Sequence, residues 1–371
     1  MQRSLRRASA AATAVVVTAA VVTGVVTSRS ADSTTTADPN ATSTLDRSAS
    51  GRPYASPRAG TKASKPRRHD HGGRRGHQGR PVPAPTQAPS PSPIDPGPTD
   101  RVPSSGATVL IGMSSPAGQW STRLDQTGGV DSRRVFSTLA NTAGAVRTAR
   151  SEVAAGRLPV LSFKVPGNDW SGVASGRYDA ALRTLAAQLS AVGGEVFVTL
   201  HHEPTGDGSP SAYAAMMRHA LPILGAPANV DAGPIVNGFW WSDGAQGLSD
   251  AQIAQWLPPD VLSVSEVVAA DTYQGGDAAH PGEDAGVKIR NLSRWADRVG
   301  VERLGIGEYN GVDARSIKAA GDAILADPRF AFADIFNSSN NNRAGIDWTL
   351  TGSRLDAFRA TVAQARAVDE A

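Results

Sequence analysis

From about Ser105 onward the chain repeats one pattern: a short apolar run, a stretch with helical spacing, then another apolar run. Eight such runs lie near residues 108–113, 134–139, 158–163, 195–200, 233–239, 261–271, 303–307 and 332–336. Strands that alternate with helices form a parallel sheet buried on both faces, so each strand reads as a nearly continuous apolar run. Eight strand–helix units over about 265 residues fit a (β/α)8 TIM barrel, for which about 250 residues is usual.

The intervening segments carry the matching period. Tyr178, Ala181, Leu182, Leu185 and Leu189 fall on one helical stripe, as do Ile289, Leu292, Trp295, Ala296 and Val299. Pro210 is placed to open a helix through Tyr213, Met217 and Leu221, because a first-turn residue needs no N–H. The competing arrangement is a doubly wound open sheet. It would be favoured by a glycine-rich phosphate loop after the first strand, and Gly112-Met113-Ser114-Ser115-Pro116 is not one.

The first hundred residues differ in kind. Arg3, Arg6 and Arg7 precede an uncharged Ala/Val-rich run from Ala8 to Ser28, the form of a secretory signal. The run is also long enough to span a bilayer, so residues 1–31 read as a signal peptide or a membrane anchor. Residues 32–104 are rich in Ser, Thr, Pro and Arg and hold too few apolar groups to offset the entropy of ordering. They read as a disordered linker, and the basic run Lys65 to Arg75 as a solvated spacer or a contact with an anionic envelope polymer. Residues 105–371 read as the folded (β/α)8 domain, and the expected location is secreted or extracellular, with or without a membrane tether.

Residues 1–104 hold 15 Lys/Arg against 6 Asp/Glu, so in a chain of net charge +3 the remainder is acidic. A pI near 9.4 therefore describes the leader and linker, and nucleic acid is not the expected partner of the domain. With no cysteine, disulfides, thiolate metal sites and cysteine nucleophiles are excluded.

Two strand ends carry chemistry. Val196 to Leu200 runs into His201-His202-Glu203-Pro204, and Leu304-Gly305-Ile306 runs into Gly307-Glu308-Tyr309-Asn310. In a barrel of this kind the active site is built at the C-terminal ends of the strands. Each glutamate alone is also readable as a surface ion-pair member. Together, three strands apart, they would meet at one rim as the paired carboxylates of a retaining glycosidase. A metal reading of His201, His202 and Glu203 finds no HExxH or comparable spacing, and no metal or cofactor is expected. Strict alternation would put 201 and 203 on one face and 202 on the other, unless a bulge turns His202 inward.

The pair His202-Glu203 on the fourth strand and Gly307-Glu308-Tyr309 on the seventh resemble glycoside hydrolase family 26, in the clan of retaining (β/α)8 glycosidases. Pro159-Val160-Leu161-Ser162-Phe163-Lys164, followed by Trp170, is similar to the third strand and helix of secreted proteins of that type. The resemblance covers most of 108–365. It implies Glu203 as acid/base, Glu308 as nucleophile, His202 as a residue that binds substrate or orients Glu308, and Tyr273 as a hydrogen-bond partner of Glu308. Mannanases of the family place aromatic residues soon after the His-Glu pair. This chain has the polar run Pro204-Thr205-Gly206-Asp207-Gly208 instead.

Trp is the natural platform for a sugar ring, having a broad apolar face and one N–H. Trp348 is the expected platform beside Glu308, then Trp241 and Trp170, whereas Trp256 and Trp295 lie on helices as core. The expectation is an exported, monomeric endo-β-glycoside hydrolase of the retaining type. Its polysaccharide substrate would be β-mannan before mixed-linkage glucan or xylan. The rival is a non-catalytic carbohydrate-binding or envelope protein on the same scaffold.

Overall fold

The computed structural model describes residues 109–339 and 346–369. The expected signal or anchor (1–31) and linker (32–104) lie outside the described residues.

The elements follow in the order β1 (Leu110–Ser114), α1 (Trp120–Thr127), β2 (Ser132–Thr138), α2 (Ala143–Ala154), β3 (Leu158–Lys164), α3 (Trp170–Ala174), α4 (Asp179–Ser190) and β4 (Val196–Leu200). Then come α5 (Pro210–Leu224), β5 (Val230–Ala232), β6 (Ile235–Asn237), α6 (Asp250–Trp256), α7 (Pro259–Leu262) and β7 (Val268–Tyr273). The chain continues through α8 (Ala285–Val299), β8 (Leu304–Asn310), α9 (Ala314–Leu325), β9 (Phe330–Phe336) and α10 (Gly352–Asp369). All strand pairings are parallel, in the order β5-β4-β3-β2-β1-β9-β8-β7-β6.

The two ends of that order are the same piece of chain. Only Gly233 and Pro234 separate β5 from β6, so the sheet curls round on itself. The nine ladder segments thus fit the eight positions of a (β/α)8 barrel, with the fifth position bent in the middle. The bend has two local causes. A Cβ on Gly233 would stand 1.8 Å from the Val267 carbonyl oxygen, and Pro234 has no N–H to donate to a ladder.

Two apolar layers result. Outward-facing strand residues such as Val198, Leu200, Ile306 and Ile335 pack under the helices. Inside the barrel, Val160, Phe197, Ile235, Val267, Ala269 and Phe332 fill the lower half, with the Phe197 and Phe332 rings 4.8 Å apart. Alternate interior positions nearer the mouth are polar: Arg134, Asp271 and Asp334 are all buried.

Three sequence expectations shift. Residues 259–262 are a helical turn, not the start of a strand, because Pro259 occupies its first turn and Val261 reaches the core from there. The strand expected at 233–239 begins at Val230, and Gly238–Trp241 is a 3-10 turn. On the helix stripes, Ala181 and Val299 are exposed while Ala186 is buried. Pro210 does open α5, where Ser209 caps the helix by accepting from the Ala212 N–H.

Candidate active site

Strand alternation alone would leave one carboxylate of the expected pair pointing away from the barrel. Along β8, Gly305 and Gly307 face inward: a Cβ on Gly305 would meet the Phe332 ring, and one on Gly307 would meet Asp271 and Ile235. Glu308 should then face the helices. Instead the register slips, Ala270 pairing with Ile306 but Asp271 with Glu308. Gly307 is the extra residue of a β-bulge, and the bulge turns Glu308 inward while Tyr309 takes the helix side.

A different device serves the end of β4. His201 and Glu203 both have left-handed backbone, with φ of +59° and +51°. For residues with a Cβ such geometry costs about 1–3 kcal/mol each and persists only where the surroundings enforce it. His201 is turned out of the barrel and its ring meets the edge of Trp170 at 4.8 Å. His202 and Glu203 are turned toward the interior, where ligand atoms of His202, Glu203 and Asp271 all lie within 4.8 Å of one another.

The enforcing contacts are specific. The Val165 N–H donates to His201 Nδ1 at 3.4 Å, which assigns the ring proton to Nε2. Nε2 donates to Asp207 Oδ2 at 2.9 Å. Lys164 Nζ, from the end of β3, donates to the same Oδ2 at 2.9 Å and to the His202 carbonyl at 2.7 Å. Burial pushes the Asp207 carboxyl up, but these hydrogen bonds outweigh it and hold the group well below the usual carboxylate range. From the other side, the Glu203 N–H donates to the Ile235 carbonyl at 3.0 Å, and Asn237 Nδ2 approaches Glu203 Oε1 at 3.4 Å. The run Pro204 to Gly208 is thus a buckle fastened under the strand end. That is why it is polar where a sugar-lining loop would be aromatic.

Around Glu308 the mouth is crowded with charge. Tyr273 Oη donates to Glu308 Oε2 at 2.5 Å. Asp271 lies beneath, 3 % exposed, and neither of its carboxylate oxygens accepts a hydrogen bond among the described residues. The Arg134 guanidinium, fully buried on β2, is 3.6 Å from Asp271 and 5.0 Å above the Phe136 ring. Burial pushes Glu308 up to about 7; Arg134 pulls it down, Glu203 adds to the rise, and the Tyr273 hydrogen bond lowers it. Asp271 is pushed well above the carboxylate range, first by burial and then by the charge of Glu308.

No protein-family model matches the chain, and no curated protein sequence does. Solved structures do match. One of two fungal β-1,4-galactanases aligns with a TM-score of 0.52 at 13 % identity, over 68 % of this chain and 100 % of that one. The fold is a barrel shared with that galactanase. A GH5_18 protein of Bifidobacterium longum aligns with a TM-score of 0.49 at 13 % identity, over 70 % of this chain and 80 % of that one. A double mutant of the Cellulomonas fimi endo-β-1,4-mannanase aligns with a TM-score of 0.47 at 17 % identity, covering 70 % and 71 %.

The barrel gathers Glu203, Glu308, His202 and Tyr273 at one mouth and sorts the tryptophans. Trp348 packs against the Tyr273 ring at 5.1 Å, one residue removed from the glutamate it flanks. Trp241 and Trp170, expected as sugar platforms, are instead core residues. Trp241 is 4 % exposed between Trp240 and Trp295, and Trp170 is 2 % exposed between His201 and Tyr213. Both follow strand ends, but the short helical turns there fold the rings back under the helix layer. Asn337, just after β9, is buried and its side chain accepts from the Leu350 N–H at 2.9 Å.

Arg134, Lys164, Asp207 and Asp271 were not anticipated from sequence. A signal existed for two of them. Asp271 is two residues before Tyr273, and Arg134 two before Phe136, so each shares an inward face with a residue at the mouth.

Proposed function

We propose that this protein is a retaining endo-β-glycoside hydrolase of the family 26 type, acting on a β-linked polysaccharide, with β-mannan the leading substrate. The observation that carries the reading is that two glutamates, Glu203 and Glu308, occupy one barrel mouth, each brought there by a local break in strand regularity, with Tyr273 bound to Glu308. A barrel that merely bound sugar would have no need of either distortion.

In this mechanism ionised Glu308 attacks the anomeric carbon as the bond to the leaving oxygen breaks, and Glu203 gives its proton to that oxygen. A glycosyl ester on Glu308 results. Glu203, now ionised, takes a proton from water, whose oxygen displaces Glu308 and returns the sugar with retained configuration. Tyr273 holds the Glu308 carboxylate, Arg134 offsets its charge, and Trp348 faces the sugar. Family 26 membership and mannan rest on the His202-Glu203 and Gly307-Glu308-Tyr309 resemblance. We further propose that residues 1–31 take the chain out of the cytoplasm and that 32–104 give the barrel reach toward an insoluble polymer. Recovery of the intact chain from the cytoplasmic fraction of its own cells would contradict that.

The test is reducing-sugar release from β-mannan, glucomannan, xylan and mixed-linkage glucan by the full chain and by its Glu203→Ala and Glu308→Ala forms. One polymer should be cleaved, and each substitution should cost at least about 10²–10⁴-fold. Aryl glycosides with a good leaving group need no proton, so Glu203→Ala should retain glycosylation of such substrates while Glu308→Ala should not. A folded protein that releases nothing from any of the four polymers or from such aryl glycosides would remove the hydrolase reading.

A further inference from the structure

We infer that His202, Glu203 and Asp271 form a binding site for a divalent transition-metal ion, and that such an ion is a reversible inhibitor of the centre. The binding claim stands on geometry alone; the inhibitory consequence rests on the proposed hydrolase.

The three residues come from the turn that follows β4 and from β7, and present one imidazole nitrogen and two carboxylate oxygens within 4.8 Å of one another. Zinc takes nitrogen and oxygen ligands at about 2.0–2.2 Å, so three donors around one ion stand about 3.4 Å apart. Side-chain adjustments of an ångström or so close that gap. Asp271 is the observation that makes this more than a cluster of acids. It is 3 % exposed, lies at the floor of the mouth, and accepts no hydrogen bond at either oxygen among the described residues. A buried carboxylate without hydrogen bonds is costly even where a cation is near, and the ion pair with Arg134, at 3.6 Å, is too long to be a hydrogen bond.

Charge points the same way. The groups acting on Asp271 are Glu308, Arg134, Glu203 and Lys164. Lys164 is committed to Asp207 and to the His202 carbonyl. A dication at this point would place positive charge between the carboxyl groups of Glu203 and Asp271. The imidazole sets the selectivity. A nitrogen donor favours Zn²⁺, Ni²⁺ or Cu²⁺ over Mg²⁺, which prefers an all-oxygen octahedron. A metal held there takes the Glu203 lone pairs that proton transfer needs, and it occupies the floor on which the sugar would sit.

The probe is ZnCl2, titrated calorimetrically into the full chain with His69, His71 and His77 replaced by alanine, so that the N-terminal histidines do not contribute. One Zn²⁺ per chain should bind, and His202→Ala and Asp271→Asn should each weaken it at least tenfold. MgCl2 at the same concentration should give no comparable heat. If either variant fails to fold, as judged by thermal unfolding without metal, Glu203→Gln takes its place with the same expected loss. Unchanged Zn²⁺ binding in the folded variants, or equal binding of Mg²⁺, overturns the site. On a polymer that the protein cleaves, Zn²⁺ should raise apparent KM, and EDTA should reverse the effect. Zinc binding by a chain that cleaves nothing would sink the hydrolase reading and leave the metal site standing; cleavage without zinc binding would do the reverse.

Discussion

A Cβ on Gly307 would stand 2.4 Å from Asp271 Oδ1, so the acid beneath the mouth occupies the space that a side chain at 307 would fill. The bulge that aims Glu308 and the buried carboxyl that lies beside it are therefore one arrangement, and neither tolerates change in the other.

Gly307→Ala tests this coupling. The methyl group must displace Asp271 or flatten the bulge, and overpacking of this kind costs about 1–3 kcal/mol. Melting temperature should fall by several degrees, and turnover should fall further than stability explains, because Glu308 is re-aimed. A variant with wild-type turnover would show that the bulge does not depend on a bare position.

Tyr273→Phe should move the pH profile. Glu308 must be ionised to attack, and burial already holds it near 7, so kcat/KM falls as pH drops through that value. Tyr273 lowers the Glu308 pKa by donating to the charged form. Without that hydroxyl the acid limb should shift to higher pH, with the largest activity loss below neutrality. An acid limb at the wild-type position would separate that limb from Glu308.

Asp207→Asn should loosen the strained end of β4. Asp207 accepts from both His201 and Lys164, and a buried partner left unsatisfied costs about 1–3 kcal/mol. The folded pKa of Asp207 is depressed, so its contribution is present above the unfolded value, about 3.9, and is lost as pH falls below it. The stability gap between wild type and variant should thus narrow between pH 5 and pH 3, as read by thermal melts across that range. A gap that widens on acidification would contradict the assignment.

Trp348→Ala and Trp241→Ala should fail in different ways. Trp348 is 8 % exposed and packs at a tilt against Tyr273 at the mouth, so its loss should raise KM more than it lowers melting temperature. Trp241 is packed between Trp240 and Trp295, and its truncation should cost about 3–5 kcal/mol of stability while KM stays near wild type. Comparing KM and melting temperature of the two variants is sufficient to tell them apart.

The barrel was legible because its repeat is written in hydrophobic period, which survives any particular loop. Glu203 and Glu308 were legible because each ends an apolar run, and His202 and Tyr273 through the family resemblance that those strand ends carry. What could not be read was direction. Alternation assigns His202 and Glu203 to opposite faces, and only the left-handed backbone at His201 and Glu203 puts them together. The tryptophans misled for a related reason: Trp170 and Trp241 follow strand ends, but the turn after a strand decides whether a ring looks into the mouth or back into the helices. Arg134 and Asp271 were hidden inside strands, where a single charge in an apolar run carries little signal until its neighbours across the barrel are known.

The bend at Gly233 and Pro234 also bears on the order in which the protein can assemble. The sheet closes through two seams, the bent fifth position and the pairing of β1 with β9, in which Leu110 lies against Phe332. That second seam joins the first strand to the last, so no intermediate length of chain can complete the ring. Contacts so distant in sequence are slow to form, and until β9 arrives the edges of β1 and β8 stay open to pairing with other chains. A nascent chain halted after α9 is therefore the species most exposed to aggregation, and a protein released only at full length is the one that escapes it.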